Sequence, residues 1–221
     1  MNPKLLSDTQ IRSFIANGIV TVQPTLPESF HRAIYDAFDR IVPADHVEIP
    51  GKQKLHNPGN NILPLLPQLG ALFEDPVVKG AITSLVGPDY FLEPHRALHN
   101  AMSVDGAQQL HKDSYCGFKR HVRPHRPWTV ILFYYPQDTP PERGPTGVVP
   151  GSQYSLQHPG ITTADAHPLG GPAGSCAIAA PDIWHARMHN RTNQKRFMLK
   201  FLVSRMGVPT APTWDLSLIH I

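Results

Sequence analysis

The sequence predicts a mainly β fold with flanking helices, in which a jelly-roll barrel or sandwich carries helices packed on one side. At about residue 89 the spacing of apolar residues changes from a helical period to a period of two. The chain also has 24 prolines in 221 residues, which indicates long irregular connections rather than a helical bundle. We expect one domain over residues 1–215, with a mostly helical flank (1–88) and a jelly-roll core (89–205).

The flank contains three predicted helices and one short strand. SDTQIRSFIANG (7–18) has a Ser/Asp start, helical apolar spacing and a closing glycine. PESFHRAIYDAFDRIV (27–42) is amphipathic and begins with proline. DPVVKGAITSLVG (75–87) has Asp75 as its predicted N-cap and Gly87 as its end. Between the first two helices, IVTVQ is predicted to be a strand.

The core contains eight short predicted strands separated by turns rich in Pro, Gly, Asn and Asp. In chain order they are YFLE, RALHNAMS, AQQLHKD, WTVILFYYP, TGVVP, SCAIAA, IWHARM and RFMLKFLVSR. The mouth of such a barrel is a natural place for a ligand pocket.

Composition excludes several classes of function. The chain is 41% hydrophobic and 17% charged, as is typical of globular proteins, and its net charge of +3 is too small to indicate nucleic-acid binding. The apolar run VILFYY is too short to span a membrane, and the N-terminus lacks a signal-peptide pattern. Cys116 and Cys176 alone indicate no disulfide framework, so we expect a cytoplasmic location. Cys116 is interpreted as a buried thiol, with a nucleophilic role as the alternative.

The stretch QLHKDSYCG places His111 and Asp113 two residues apart on a predicted strand, so both side chains should point to the same face. Such a pair alone is weak evidence, because the two side chains could simply bond to each other or to water. His185, on the penultimate predicted strand, offers a third ligand. Two histidines and one carboxylate with open coordination positions are the ligand set of non-haem Fe(II) oxygenases. A structural zinc site would normally have four protein ligands.

The residues after His185 carry a resemblance to a known family. Asn190, Thr192 and Arg196 follow at +5, +7 and +11, a spacing similar to the distal motif of the phytanoyl-CoA dioxygenase family. HKDSY resembles the proximal motif of the same family, and GPTGVVPGSQYS resembles the element between the two. The opening stretch LSDTQIRSFIANGIVTV is also similar, so the resemblance covers nearly the whole chain.

This resemblance implies a double-stranded β-helix that binds Fe(II) and the cosubstrate 2-oxoglutarate. His111, Asp113 and His185 match the iron ligands of the family. Arg196 matches the arginine that holds the distal carboxylate of 2-oxoglutarate, and its planar guanidinium suits bidentate recognition of a carboxylate. The implied reaction consumes O2, hydroxylates a small-molecule substrate, and releases succinate and CO2.

One departure concerns cosubstrate binding. The family usually has Ser or Thr two residues after the distal histidine, where this chain has Arg187. Thr129, on the strand after the proximal motif, is a candidate to supply the missing hydroxyl. Asn190 and Thr192 are expected to shape the turn between the last two strands, and Pro150–Ser152 is interpreted as a simple turn.

Other functions remain alternatives. A cupin-like protein could bind the metal or a ligand without turnover, and a zinc hydrolase could use the same three ligands. The hydrolase would need a positioned general base, for which the five glutamates of the chain offer no obvious candidate. Related halogenases replace the carboxylate ligand with a small residue, so Asp113 favours hydroxylation. Neither the substrate nor the oligomeric state follows from the sequence.

The segment LSLIHI (216–221) is also the translation of a transposon end that is used to prepare sequencing libraries. We therefore expect these six residues to be a non-native tail.

Overall fold

The computed structural model describes residues 2–41, 62–93, 98–101, 106–113, 127–155 and 157–207. Cys116 and the expected tail at 216–221 lie outside this range. The α-helices are α1 (Asp8–Asn17), α2 (Glu28–Ile41), α3 (Ile62–Leu65), α4 (Gly70–Glu74) and α5 (Pro76–Val86). The strands are β1 (Ile19–Val22), β2 (Tyr90–Leu92), β3 (Leu98–Ala101), β4 (Thr129–Tyr134), β5 (Thr146–Val148), β6 (His167–Pro168), β7 (Cys176–Ala179), β8 (His185–Arg187) and β9 (Arg196–Arg205). None of the described helices is long and apolar enough to cross a membrane.

The ends of the flank helices follow from their capping residues. Ser7 and Gln10 form a reciprocal capping box at the start of α1, and Gly18 ends that helix at a positive φ of 74°. Asp75 caps α5, as predicted, by accepting hydrogen bonds from the first free N–H groups of the helix. Its other carboxylate oxygen accepts bonds from the N–H and hydroxyl of Thr25. The Asp75 side chain thus ties α5 to the segment that follows β1.

The strands form two antiparallel sheets. The larger has the order β1-β7-β4-β9-β2, and β3 also pairs with β9; the smaller has the order β6-β5-β8. β1 comes from the predicted flank, yet it completes the edge of the larger sheet by pairing with β7. The prediction of a strand over 107–113 is wrong. This segment forms a single β-bridge, between His111 and His185.

The helices cover one face of the larger sheet, and the smaller sheet lies against the other face. Alternate residues of β9, namely Phe197, Leu199, Phe201 and Val203, share an apolar cluster with α1, α2 and α5. Met198 and Leu202 point the opposite way and pack with β4, β7 and Val148 of the smaller sheet. This architecture confirms the predicted mainly β, jelly-roll fold with helices on one side.

The alternation along β9 also sets the direction of its polar residues. Because side chains alternate across a strand, Arg196, Lys200 and Ser204 point to the same side as Met198 and Leu202. All ten residues of β9 are buried. The inner face of β9, defined by residues 196, 198, 200, 202 and 204, therefore carries two cations into the space between the sheets.

Candidate metal centre

His111 and His185 face each other across the β-bridge. The N–H of His111 donates to the carbonyl of His185 at 2.9 Å, and the N–H of His185 donates to the carbonyl of His111 at 2.9 Å. The centroids of their rings are 4.6 Å apart. This single bridge is enough to hold two side chains together that are 74 residues apart in sequence.

A backbone carbonyl orients each ring. Nδ1 of His111 lies 3.0 Å from the carbonyl oxygen of Gln109, and Nδ1 of His185 lies 3.0 Å from that of Ile183. A carbonyl only accepts hydrogen bonds, so Nδ1 is the protonated nitrogen in both rings. Nε2 of each ring is then the atom that can bind a metal, an arrangement typical of metal-binding histidines. Burial lowers the pKa of His111, which favours the neutral form that a metal requires.

Asp113 completes a cluster of three metal-ligating groups. Its Oδ2 lies 3.3 Å from Nε2 of His185, and its Oδ1 lies 3.9 Å from Nε2 of His111. One nitrogen from each histidine and one carboxylate oxygen all lie within 4.8 Å of one another. Burial raises the pKa of Asp113, but His185 and Lys200 lower it by more, so its net pKa lies well below the ordinary value. Asp113 is therefore ionised at neutral pH.

These three residues fit a divalent metal. Nε2 of His185 and Oδ2 of Asp113 lie 3.3 Å apart, so both atoms could bind the same metal ion. The set offers nitrogen and carboxylate oxygen only, and it leaves coordination positions open, as non-haem Fe(II) sites do.

Lys200 lies beside Asp113 and was not anticipated from the sequence. It is 5% exposed, points inward from β9, and its ammonium contacts Oδ2 of Asp113. The sequence signal that could have identified Lys200 is its spacing from Arg196, because residues four apart on a strand share a face. The predicted strand RFMLKFLVSR therefore already placed both cations on one side.

Arg196 begins β9 on the same inner face and is 1% exposed. Its Nε donates to the carbonyl of Gly144 at 3.1 Å. Gly144 has a positive φ of 68°, and a Cβ there would overlap backbone atoms of Met188 and Asn190. Glycine is thus required at this position, and its carbonyl helps to orient the guanidinium.

Asn190 organises the turn between β8 and β9, as predicted. Its side-chain amide donates to the carbonyls of Ala101 and Gln194, at 3.2 and 2.8 Å. Its Oδ1 accepts bonds from the N–H and hydroxyl of Thr192, at 3.0 and 2.8 Å. Asn190 is fully buried, so its whole amide is used to hold the turn that connects His185 to Arg196.

The sequence matches the family model of phytanoyl-CoA dioxygenase over residues 14–198. The chain belongs to the phytanoyl-CoA dioxygenase family. This confirms the predicted enzyme class, a 2-oxoglutarate-dependent non-haem iron oxygenase with Fe(II) and 2-oxoglutarate as its cofactors. No curated protein matches the sequence significantly.

Solved structures share the fold at low sequence identity. Apo ThoJ, a non-heme monooxygenase, is 20% identical with a TM-score of 0.68, and the match covers 91% of this chain and 80% of that one. HygX from Streptomyces hygroscopicus, with nickel and 2-oxoglutarate bound, is 12% identical with a TM-score of 0.67, covering 91% and 88%. CytC3 with Fe(II) and alpha-ketoglutarate is 16% identical with a TM-score of 0.63, covering 94% and 79%.

In this phytanoyl-CoA dioxygenase family member, the Pro150–Ser152 turn does more than reverse the chain. The hydroxyl of Ser152 accepts the N–H of Trp184 at 2.9 Å, next to His185. The carbonyl of Ser152 accepts the ammonium of Lys112 at 3.1 Å, between the other two candidate ligands. The turn therefore connects the two segments that supply the metal ligands, which its interpretation as a simple turn did not anticipate.

Thr129 is not brought to the metal cluster. It pairs with Ser204 in the β4–β9 ladder, whereas Lys200, which contacts Asp113, pairs with Phe133. Four residues along a strand correspond to about 13 Å. The hydroxyl of Thr129 instead forms a 2.5 Å hydrogen bond with that of Ser204. It thus has a structural partner at the far end of the strand.

Arg187, at the departure from the family pattern, lies on β8 two residues after His185. Its guanidinium donates to the carbonyl of Gly106 at 3.1 Å, and its N–H donates to the side chain of Gln108 at 3.2 Å. Arg187 therefore secures the segment that leads into His111.

Proposed function

We propose that this chain hydroxylates a C–H bond of a small-molecule substrate, consuming O2 and 2-oxoglutarate and releasing succinate and CO2. His111, Asp113 and His185 hold Fe(II), and Arg196 holds the distal carboxylate of 2-oxoglutarate. Bound Fe(II) supplies the oxidising chemistry, and the protein orients the reactants and excludes water. The supporting observation is the convergence of two Nε2 atoms and an ionised carboxylate, with both Nδ1 atoms bonded to carbonyls.

Each residue has a defined task in this proposal. The carbonyls of Gln109 and Ile183 keep Nε2 of the two histidines directed at the metal. Asp113 supplies the negative charge and occupies the third ligand position, so no vacant position remains there for chloride. We therefore propose hydroxylation rather than halogenation. The carbonyl of Gly144 orients Arg196 toward the carboxylate.

Two further statements belong to the same proposal. We propose that the dioxygenase domain spans residues 1–215, with the flank at 1–88 and the core at 89–205, and that the protein is cytoplasmic.

The decisive experiment is a measurement of succinate formation from 2-oxoglutarate with added Fe(II) and O2. We expect slow succinate release without a primary substrate, and faster release when a metabolite panel includes the substrate. Product analysis should show added oxygen and no chlorine, even in high chloride. His185→Ala is the matched control and should release no succinate above background.

The rival candidate is a cupin-like protein that binds the metal without turnover. It predicts binding of metal and 2-oxoglutarate but no succinate under any condition, whereas the dioxygenase produces succinate. Succinate formation that a chelator does not reduce would contradict the iron assignment.

A further inference from the structure

The charge of Lys200 acts directly on the candidate metal centre, because its ammonium lies beside one of the three candidate ligands. Its ammonium contacts Oδ2 of Asp113, and the same oxygen lies 3.3 Å from Nε2 of His185. The side chain is buried between the sheets and cannot be screened by bulk water. Without a metal, the ion pair supplies the positive charge that the buried carboxylate requires.

A bound metal changes this arrangement. A divalent cation at Asp113 would share one carboxylate with the Lys200 ammonium, and like charges in a buried site repel strongly. The lysine side chain has four rotatable carbons, so the ammonium can move by several ångströms while its backbone stays in the β9 ladder. A ligand carboxylate would stabilise the buried ammonium in its new position.

We propose that Lys200 leaves Asp113 when the metal binds and then holds a carboxylate of a ligand bound at the metal. The carboxylate belongs either to 2-oxoglutarate or to the primary substrate. This inference rests on the proposed function, since it assumes that His111, Asp113 and His185 bind the metal. Lys200 thereby acts as a residue that selects anionic ligands.

The charges of the named groups favour this role. Fe(II), Arg196 and Lys200 bring four positive charges, whereas Asp113 and the two carboxylates of 2-oxoglutarate bring three negative charges. Lys200 therefore opposes binding of the metal alone and favours binding of the metal together with an anion.

The first test compares Ni(II) binding to metal-free wild type and Lys200→Met by isothermal titration calorimetry. We expect the variant to bind Ni(II) at least tenfold more tightly in the absence of 2-oxoglutarate, because the competing ammonium is gone. We also expect 2-oxoglutarate to tighten Ni(II) binding less in the variant than in wild type. Lys79→Met is the matched control, since Lys79 forms an exposed ion pair with Glu74, and it should behave as wild type.

The second test identifies the source of the carboxylate. A loss of tenfold or more in 2-oxoglutarate affinity of Ni(II)-loaded Lys200→Met would assign the cosubstrate. Unchanged 2-oxoglutarate affinity, together with propionate binding to the wild-type Ni(II)–2-oxoglutarate complex that the variant lacks, would assign the primary substrate. Lys200→Gln repeats both tests with a polar side chain, should the methionine variant fail to fold.

Two results would overturn the inference. Ni(II) affinities within threefold of each other in wild type and both Lys200 variants would show that the ammonium does not oppose the metal. Tighter Ni(II) binding with neither carboxylate effect would show that Lys200 holds no ligand. Failure of the proposed function looks different, because wild type and His185→Ala would then bind Ni(II) equally.

Discussion

On the outer face of β9, Phe197, Leu199, Phe201 and Val203 pack against the helices, and on its inner face Arg196 and Lys200 alternate with Met198 and Leu202. Both faces are buried, so burial does not distinguish them. The outer face gains its stability from apolar area that leaves water. The inner face carries two buried cations, and one of them, Lys200, contacts the carboxylate of Asp113. Buried charges of this kind contribute little to stability, and our proposal assigns both cations to ligand binding.

The largest expected effect comes from removing a ligand on the inner side. His185→Ala should lower Ni(II) affinity by more than about 100-fold, because loss of an outer partner of a metal ligand alone costs about 10–100-fold. Succinate formation should fall to background. Calorimetry and succinate release measure the two losses, and circular dichroism should show an intact fold. Retention of metal affinity would mean that the three residues are not the metal site.

An outer-face substitution should produce the opposite pattern. Phe201 is fully buried, and its ring meets that of Phe73 edge to face with centroids 5.1 Å apart. Phe201→Ala should lower the free energy of unfolding by about 3–5 kcal/mol, as is usual for large-to-small changes in a core. Urea denaturation measures this loss. The folded fraction should bind Ni(II) as wild type does, and a large change in Ni(II) affinity would show that the two faces are not separable.

Arg196→Lys should weaken cosubstrate binding with a smaller effect on the fold. Lysine keeps the positive charge but loses the planar fork, so 2-oxoglutarate affinity should fall by about 1.5–3 kcal/mol. Titration of 2-oxoglutarate into the Ni(II)-loaded proteins measures this loss of affinity. The Ni(II) affinity without cosubstrate is the internal control. An unchanged 2-oxoglutarate affinity would assign the carboxylate to another cation.

Ser152→Ala tests the turn that connects the two ligand segments. The N–H of Trp184 would lose the hydroxyl that accepts it at 2.9 Å. Stability should fall by about 1–2 kcal/mol, the usual cost of an unpaired buried donor. Ni(II) affinity should fall by a few-fold, because Trp184 precedes His185. Ser155→Ala, at an exposed position just beyond the turn, is the matched control.

The sequence predicted those features that depend on local pattern or on motif spacing. The period of two in apolar residues predicted most of the strands. The spacing from His185 to Arg196 predicted the family and, through it, the candidate metal ligands. The prediction of a strand over 107–113 was wrong because this segment forms a single β-bridge to His185 and no ladder. β1 joined the larger sheet because a tertiary partner, β7, was available beyond the local helices.

The unpredicted parts of the site depend on long-range packing. The contact of Lys200 with Asp113 joins positions 87 residues apart, and the hydroxyl of Ser152 meets the N–H of Trp184, which is 32 residues away. Thr129 was chosen for its hydroxyl and its neighbouring strand, but the ladder register places it beside Ser204 instead. Register is set by the whole sheet, so a single strand read alone could not reveal it.

The smallest expected effect concerns a histidine on the outer side. His31 of α2 is buried beneath Tyr134, with its Nδ1 2.9 Å from the phenolic oxygen. Burial lowers the pKa of His31 from its ordinary value of 6.5, although the carbonyl of Leu26 and the charge of Asp75 oppose this shift. As the pH falls below 6.5, the unfolded state takes up a proton that the folded state resists, so stability should decrease.

Urea denaturation between pH 7.5 and about 5 measures this dependence of stability on pH. His31→Gln, which cannot titrate, should show a shallower slope than wild type. Equal slopes would mean that His31 is protonated as readily in the folded protein as in the unfolded chain.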